Sequence, residues 1–396
     1  MEKNYLEHFN QRLTFPKSSA HLEGNGDETA ASVNESDVKK KLATSRETLH
    51  KAIEKYAKND KHLKKKANEI IKRSRDPLKA VAMQDNKTLA ANPQNTNLLE
   101  VIVFTDGSRP SFLIKNGKID FTSSPAGEWE NPLVTGEINV GYAIQCVGRI
   151  NIGIKHKGTG FLIHKNLVIT NKHVLQAVAD LVNGKWVFKE GAMIDFGYEY
   201  KTTNVKDPRL LKKLVFTTPG LIDKDHIDHT KVDLALIEIE PVDQVNIPMQ
   251  LLQTDTSITW AWPDTTTLYT IGYPGDPGLN GVVDYGSDVL YNIFKDTYGC
   301  KRLAPGKVMT GPQANPAFPL RLTHDATTLG GNSGSLMVTR SKEYIASGLH
   351  YGGEFEQPRE NWGHVLGNIL DAKNSAGKSL LDCLDEYNVI MTKSDA

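Results

Sequence analysis

Three short segments, in a fixed order along the chain, restrict what this sequence can fold into more than anything else in it. The first is Gly158–Ile163 followed by Leu167–Val174: an apolar run, a polar turn at His164–Asn166, a second apolar run, and His173 where that run ends. The second is Lys231–Ile239, where Asp233 precedes a run apolar enough to be buried as a strand. The third is Gly330-Gly331-Asn332-Ser333-Gly334-Ser335, whose glycines allow the backbone on both sides of a serine to turn tightly.

A serine hydroxyl is a poor nucleophile at neutral pH unless a base removes its proton. Attack on a carbonyl also needs donors aimed at the developing oxyanion, and backbone N–H groups are the usual source. Ser333 is the candidate nucleophile, His173 the candidate base, and Asp233 the group to orient it. The N–H groups of Gly331 and Ser333 are the candidate oxyanion donors. Each residue alone also has a structural reading: His173 as a cap after a strand, Asp233 as a strand opener, Ser333 as a turn residue.

As a set they say more. The order is His, Asp, Ser, with separations of about 60 and 100 residues. Together the segments resemble the histidine, aspartate and serine motifs of trypsin-like peptidases of the chymotrypsin fold. Thr327–Ser335 and Gly348-Leu349-His350-Tyr351-Gly352-Gly353 resemble the glutamyl endopeptidase branch, with bacterial relatives. The likeness runs over roughly residues 139–390. It implies a mostly β protein with two six-stranded antiparallel barrels, and a serine endopeptidase acting on protein or peptide substrates through an acyl-enzyme. It also implies that residues just before the serine line the specificity pocket. Thr327 and Thr328 stand there without a carboxylate, which argues against selection of Lys or Arg. In the glutamyl branch the matching histidine, here His350, contacts the substrate carboxylate and the matching threonine, Thr328, assists it. A His–Thr pair can donate to a Glu carboxylate or a Gln amide oxygen. His350 as a buried strand histidine bonded to backbone is the competing reading.

The remainder divides into three stretches. Residues 1–97 form a polar tail, a basic helical extension and a linker; 98–138 a small β lead-in; 139–396 the peptidase domain. Helix is expected from Ser36, as N-cap, to Arg75, with Asp76-Pro77 as its stop. Asn59-Asp60 is an alternative turn between two shorter helices. Between Lys39 and Lys79 roughly fifteen Lys and Arg face about five acids. That basic face reads as a solvated surface packed on the protease or as a site for a protein partner. With one aromatic and no binding motif, nucleic acid is not the expected partner. In the lead-in, Val101–Phe104 and Phe112–Ile114 read as strands, with a hairpin turn at Asn116-Gly117. Val140–Ile150 reads as a strand, and Lys378–Tyr387 as a closing helix packed against the second barrel.

Composition excludes rather than selects. A length of 396 residues and a formal net charge of zero leave room for two or three compact units and point to no polyanionic partner. The start lacks the apolar core of a signal peptide, and no run reaches transmembrane length. Cys146, Cys300 and Cys383 are too few and too scattered for a disulfide framework, so a cytoplasmic protein is expected. Asp225, His226, Asp228 and His229 are the one cluster worth testing as a metal site, but a polar loop without further ligands reads as solvated. No metal or cofactor is expected. The alternative function is an inactive protease scaffold whose extension recognises a partner.

Overall fold

The computed structural model describes residues 5–13, 33–201, 208–224, 226–241, 253–255, 266–276, 285–328, 332–340, 345–354 and 360–392. Its first part is helical: α1 (Tyr5–Leu13), α2 (Glu35–Tyr56), α3 (Lys61–Arg73), α4 (Arg75–Ala82), α5 (Asn86–Ala90) and α6 (Pro93–Thr105). The single helix expected over 36–75 is therefore divided. Its cap is Asn34 rather than Ser36: the Asn34 side chain accepts from the Asp37 N–H and the Asp37 carboxylate accepts from the Asn34 N–H, a capping box. The break falls at the alternative turn, where Lys58 and Asn59 take left-handed φ values of 50° and 60°. Asp60 then caps α3 through the N–H groups of His62 and Leu63. Pro77 stops nothing, because it sits in the first turn of α4, where no helical N–H bond is required of it. The stretch expected as a linker forms α5 and the start of α6.

These helices share one apolar core. It includes Phe9 and Leu13 of α1, Leu49 and Ile53 of α2, Ile70 and Ile71 of α3, and Leu99 and Ile102 of α6. A fully buried side chain of this kind contributes roughly 1.5–3 kcal/mol of transfer free energy, enough to hold short helices that would not persist alone. The core is completed from far along the chain by Val289, Ile293 and Phe294 of α10 (Tyr285–Phe294).

The expected strand at Val101–Phe104 lies inside α6. Leu98, Leu99 and Val101–Phe104 are all buried, and an unbroken apolar run has no period by which strand and helix can be told apart. Asn92 as N-cap and Pro93 at the helix start decide for helix. The hairpin that follows is as expected: β1 (Phe112–Lys115) and β2 (Lys118–Asp120) join at Asn116-Gly117, both with positive φ. After α7 (Glu130–Thr135), the expected strand at Val140–Ile150 is split between α8 (Glu137–Cys146) and β3 (Val147–Ile152).

Two barrels carry the rest. The first consists of β3, β4 (Lys155–His164), β5 (Leu167–Thr170), β8 (Ala192–Asp195), β9 (Pro208–Thr217) and β10 (Ala235–Ile239), closed in the order β10-β5-β4-β3-β8-β9. Helix α9 (Lys172–Val178) follows β5, and β6 (Ala179–Val182) with β7 (Lys185–Phe188) makes a separate two-stranded sheet. The second barrel runs β12 (Thr267–Gly272), β15 (Leu336–Thr339), β17 (Gly348–Gly353), β18 (Asn361–Val365), β14 (Leu322–His324) and β13 (Arg302–Thr310), and closes because β12 also pairs with β13. All pairings in both rings are antiparallel. β1 adds to the edge of β13 through Phe112↔Leu303 and Leu113↔Arg302, tying the segment after α6 to the second barrel. A small parallel sheet joins β11 (Gln253–Asp255) to β16 (Ile345–Ala346) and β19 (Met391–Thr392). The closing helix α11 (Leu380–Glu386) buries Leu380, Cys383 and Leu384 and, among the described residues, packs chiefly on β9 of the first barrel rather than on the second. The Tyr387 hydroxyl donates to Glu238 of β10 at 2.6 Å and fastens it there.

Candidate active site

His173 owes its position to an unusual helix start. Asn171 stands at the N-cap of α9, but its side-chain amide donates to the Asp233 carbonyl at 2.9 Å instead of capping the helix. The exposed helix N–H of His173 is taken by Asp233 Oδ1 at 2.9 Å, so the carboxylate, just before the neighbouring strand β10, caps α9. Asp233 Oδ2 accepts from the same residue's Nδ1 at 2.5 Å. This double clasp sets both the position and the tautomer of the imidazole. Burial alone would raise the Asp233 carboxyl, but the charge and hydrogen bonds of His173, with His364 behind it, hold it below the ordinary carboxylate value.

His364 was not singled out in the sequence. Its Nδ1 donates to the Leu320 carbonyl at 2.8 Å, which leaves Nε2 to accept the Asp233 N–H at 3.1 Å. The ring stacks on Tyr351 at 4.4 Å, and burial, opposed by the Leu320 carbonyl and Asp233, lowers its pKa.

Ser333 is held between the barrels. Thr159 of β4 donates its N–H to the Ser333 carbonyl at 2.8 Å, and Gly334 N–H donates to His350 of β17 at 2.9 Å. Gly334 has φ +89°, and a Cβ on it would lie 1.9 Å from the Thr159 carbonyl oxygen. Only glycine fits this crossing. Ser333 shares one cavity of about 320 Å³ with His173, Asp233, Thr327, Thr328 and His350. Among the described residues no hydrogen bond joins Ser333 Oγ to His173. Gly331 lies outside the described residues.

The cavity wall holds a second unexpected histidine. His324 of β14 places Nε2 3.2 Å from Nδ1 of His350, and its own Nδ1 is buried without a partner. A bare lone pair is cheaper to bury than an orphaned N–H. The proton of His324 therefore sits on Nε2 and is donated to His350 Nδ1, so the proton of His350 sits on Nε2. Burial pushes His324 down to about 4. Burial, then His324 and His173, push His350 well below its ordinary value, so both rings are neutral near pH 7. Thr328 donates its hydroxyl to Asn361 Oδ1, and Asn361 Nδ2 donates to the carbonyls of Ala326 and His324. The Thr327 hydroxyl is committed to the Arg109 carbonyl at 2.6 Å. Arg109 in turn pairs with Asp325 at 2.7 Å with both side chains buried.

The suspected metal loop serves otherwise. His226 lies 3.3 Å from Asp223, and His229 meets the Tyr351 hydroxyl at 3.0 Å among the rings of Phe318 and Trp362. Asp225 lies outside the described residues, and among the described residues no group of His, Cys, Asp and Glu is arranged to hold a metal ion.

Two six-stranded antiparallel barrels with a cleft between them define the chymotrypsin class of fold. Residues 158–346 match the trypsin-like peptidase domain family. A probable serine protease of Lysobacter enzymogenes is 31% identical over 276 residues, which cover 64% of this chain and 69% of that one. The chain thus belongs to the trypsin-like serine peptidases, and it is a serine endopeptidase. Solved structures to which it is similar include a Glu endopeptidase, at 17% identity and TM-score 0.39 over 61% of this chain and 90% of that one. A mutant of human heparin binding protein is similar at 12% identity and TM-score 0.41, over 61% and 92%.

Proposed function

We propose that Ser333 attacks the scissile carbonyl while His173 Nε2 takes its proton and passes it to the leaving amine as the C–N bond breaks. Water then hydrolyses the acyl-enzyme by the same route. The double clasp of Asp233 on His173, in the cavity that Ser333 shares, carries this reading. With Nδ1–H committed to the carboxylate, Nε2 presents a lone pair as a base must. The Ser333–His173 bond is formed on substrate binding, since such contacts are commonly loose in unbound sites. The N–H groups of Gly331 and Ser333 serve the oxyanion, and among the described residues the Ser333 N–H takes no part in the bonds of its own loop.

The side chain before the scissile bond is Glu or Gln. His350 offers a neutral Nε2–H, with His324 supporting its tautomer, and Thr328 and Asn361 line the same wall. No carboxylate stands at Thr327 or Thr328 to attract Lys or Arg. Three cysteines scattered along the chain, Cys146, Cys300 and Cys383, favour a reducing, cytoplasmic setting; among the described residues no helix is long and apolar enough to cross a membrane.

A cleavage profile of the purified full chain on a peptide library tests both parts. Ser333→Ala is expected to lower kcat on the order of 10⁴ to 10⁶-fold. His350→Ala is expected to lower kcat/KM by about one to two decades for Glu peptides while largely sparing Leu peptides. Cleavage by the Ser333→Ala chain at the wild-type rate sinks the nucleophile; efficient wild-type cleavage after Lys or Arg sinks the specificity.

A further inference from the structure

The cleft beside Ser333 is not built by the barrels alone. Arg12 of α1, Glu100 and Phe104 of α6 and Leu290 of α10 line it together with Ser333 and His350. Arg12 is nearly enclosed, with a side chain only 7% exposed. Its Nη1 donates to Glu100 Oε1 and lies 3.2 Å from His8 Nε2. Those contacts use one corner of the guanidinium. Its Nε is buried without a partner, and among the described residues Nη2 makes no hydrogen bond. Guanidinium N–H groups can only donate, and their fork is matched by a carboxylate. An enclosed donor with no acceptor, in the wall of a substrate cavity, is what an incoming acceptor relieves.

We propose that Arg12 is a substrate-contacting specificity residue, its unused donors binding the same acidic side chain that meets His350. This rests on the proposed reading of the His350 cavity and goes further, because it selects Glu over Gln. A carboxylate presents two acceptor oxygens, one for His350 Nε2–H and one for Arg12. A Gln amide presents one oxygen and an NH2 group, and the NH2 group would face donors on one side. Glu100 fixes Arg12 in place through Nη1, and it also competes with the substrate for the charge. The N-terminal helices are thereby part of the recognition site.

The test uses the full chain and three peptides that differ only in Glu, Gln or Leu before the scissile bond. Arg12→Met is expected to lower kcat/KM for the Glu peptide by about tenfold to a hundredfold, as loss of a charge-assisted bond does, with Gln and Leu peptides changed by less than about threefold. Arg12→Met strands the Glu100 carboxylate, so Arg12→Met/Glu100→Gln is measured beside it and is expected to show the same selective loss. Glu100→Gln alone is expected to lower KM for the Glu peptide. Fluorophosphonate labelling of Ser333 at the wild-type rate in each variant separates recognition from a damaged centre. A double variant that keeps the wild-type Glu-to-Gln ratio overturns the role of Arg12 and leaves the His350 reading standing. A wild-type chain with no preference for Glu, and no change of preference in His350→Ala, overturns both.

Discussion

Replacing Asp233 by asparagine tests the catalytic geometry through one proton. Asp233 Oδ1 accepts the backbone N–H of His173 at 2.9 Å, and Oδ2 accepts its Nδ1–H at 2.5 Å. In an asparagine the oxygen must stay on the backbone N–H, because an NH2 group there would set donor against donor. The NH2 group therefore takes the place of Oδ2 and donates to Nδ1. His173 is forced into the other tautomer, with its proton on Nε2 facing Ser333, and it can no longer accept the serine proton. The packing is isosteric, so the fold should hold while the base is lost. The expected fall in kcat is about 10⁴-fold, the usual scale for a wrong tautomer in such a triad. Single-turnover acylation with a Glu peptide measures it, with circular dichroism melting as the control for folding. An Asp233→Asn chain within tenfold of wild type would refute the argument, since the proton placement leaves no route to that activity.

Other consequences can be checked in the same preparations. His324→Leu removes the donor to His350 Nδ1, frees the tautomer and is expected to cost about tenfold in kcat/KM for Glu peptides, with much less effect on Leu peptides. Acid should destabilise the fold through its buried histidines. His8, His156, His324, His350 and His364 all have pKa values lowered from 6.5 by burial above all. Between pH 6.5 and about 4 the unfolded chain therefore binds protons that the folded chain refuses, so stability rises with pH across that window and is lost on acidification. His324, at about 4, accounts for on the order of 3 kcal/mol at full effect, and His324→Leu should flatten the dependence of Tm on pH. A Tm that stays level from pH 7 to pH 4.5 would contradict this.

The sequence shows what is local and hides what is assembled. His173, Asp233 and Ser333 stand out because each ends or begins a short, well-marked segment and the three keep a set order. The two barrels follow from the family that these segments resemble. His364 and His324 act on their partners across 131 and 26 residues, through pairings of β18 and β14 that no local pattern reveals. His324 itself, nine residues before the serine, was the one available signal. Arg12 reaches the cleft only because α1 docks on the other helices. The mistaken strand at Val101–Phe104 has a different cause, since burial on all sides erases the period; the Asn92-Pro93 start was the clue to helix.

The position of α10 bears on how the extension can be removed. Val289, Ile293 and Phe294 plug the helical core, yet their helix α10 is an insert between β12 and β13 of the second barrel. The extension is thus sewn to the peptidase by the chain after α6 and by this insert, and Tyr56 of α2 also meets Tyr200 at 5.8 Å. A nick between α6 and β1 severs only the first stitch. The product is a two-chain complex that co-elutes on gel filtration and separates only when the insert is pulled from its socket. After a single cut between α6 and β1 the helices are expected to leave only with denaturant.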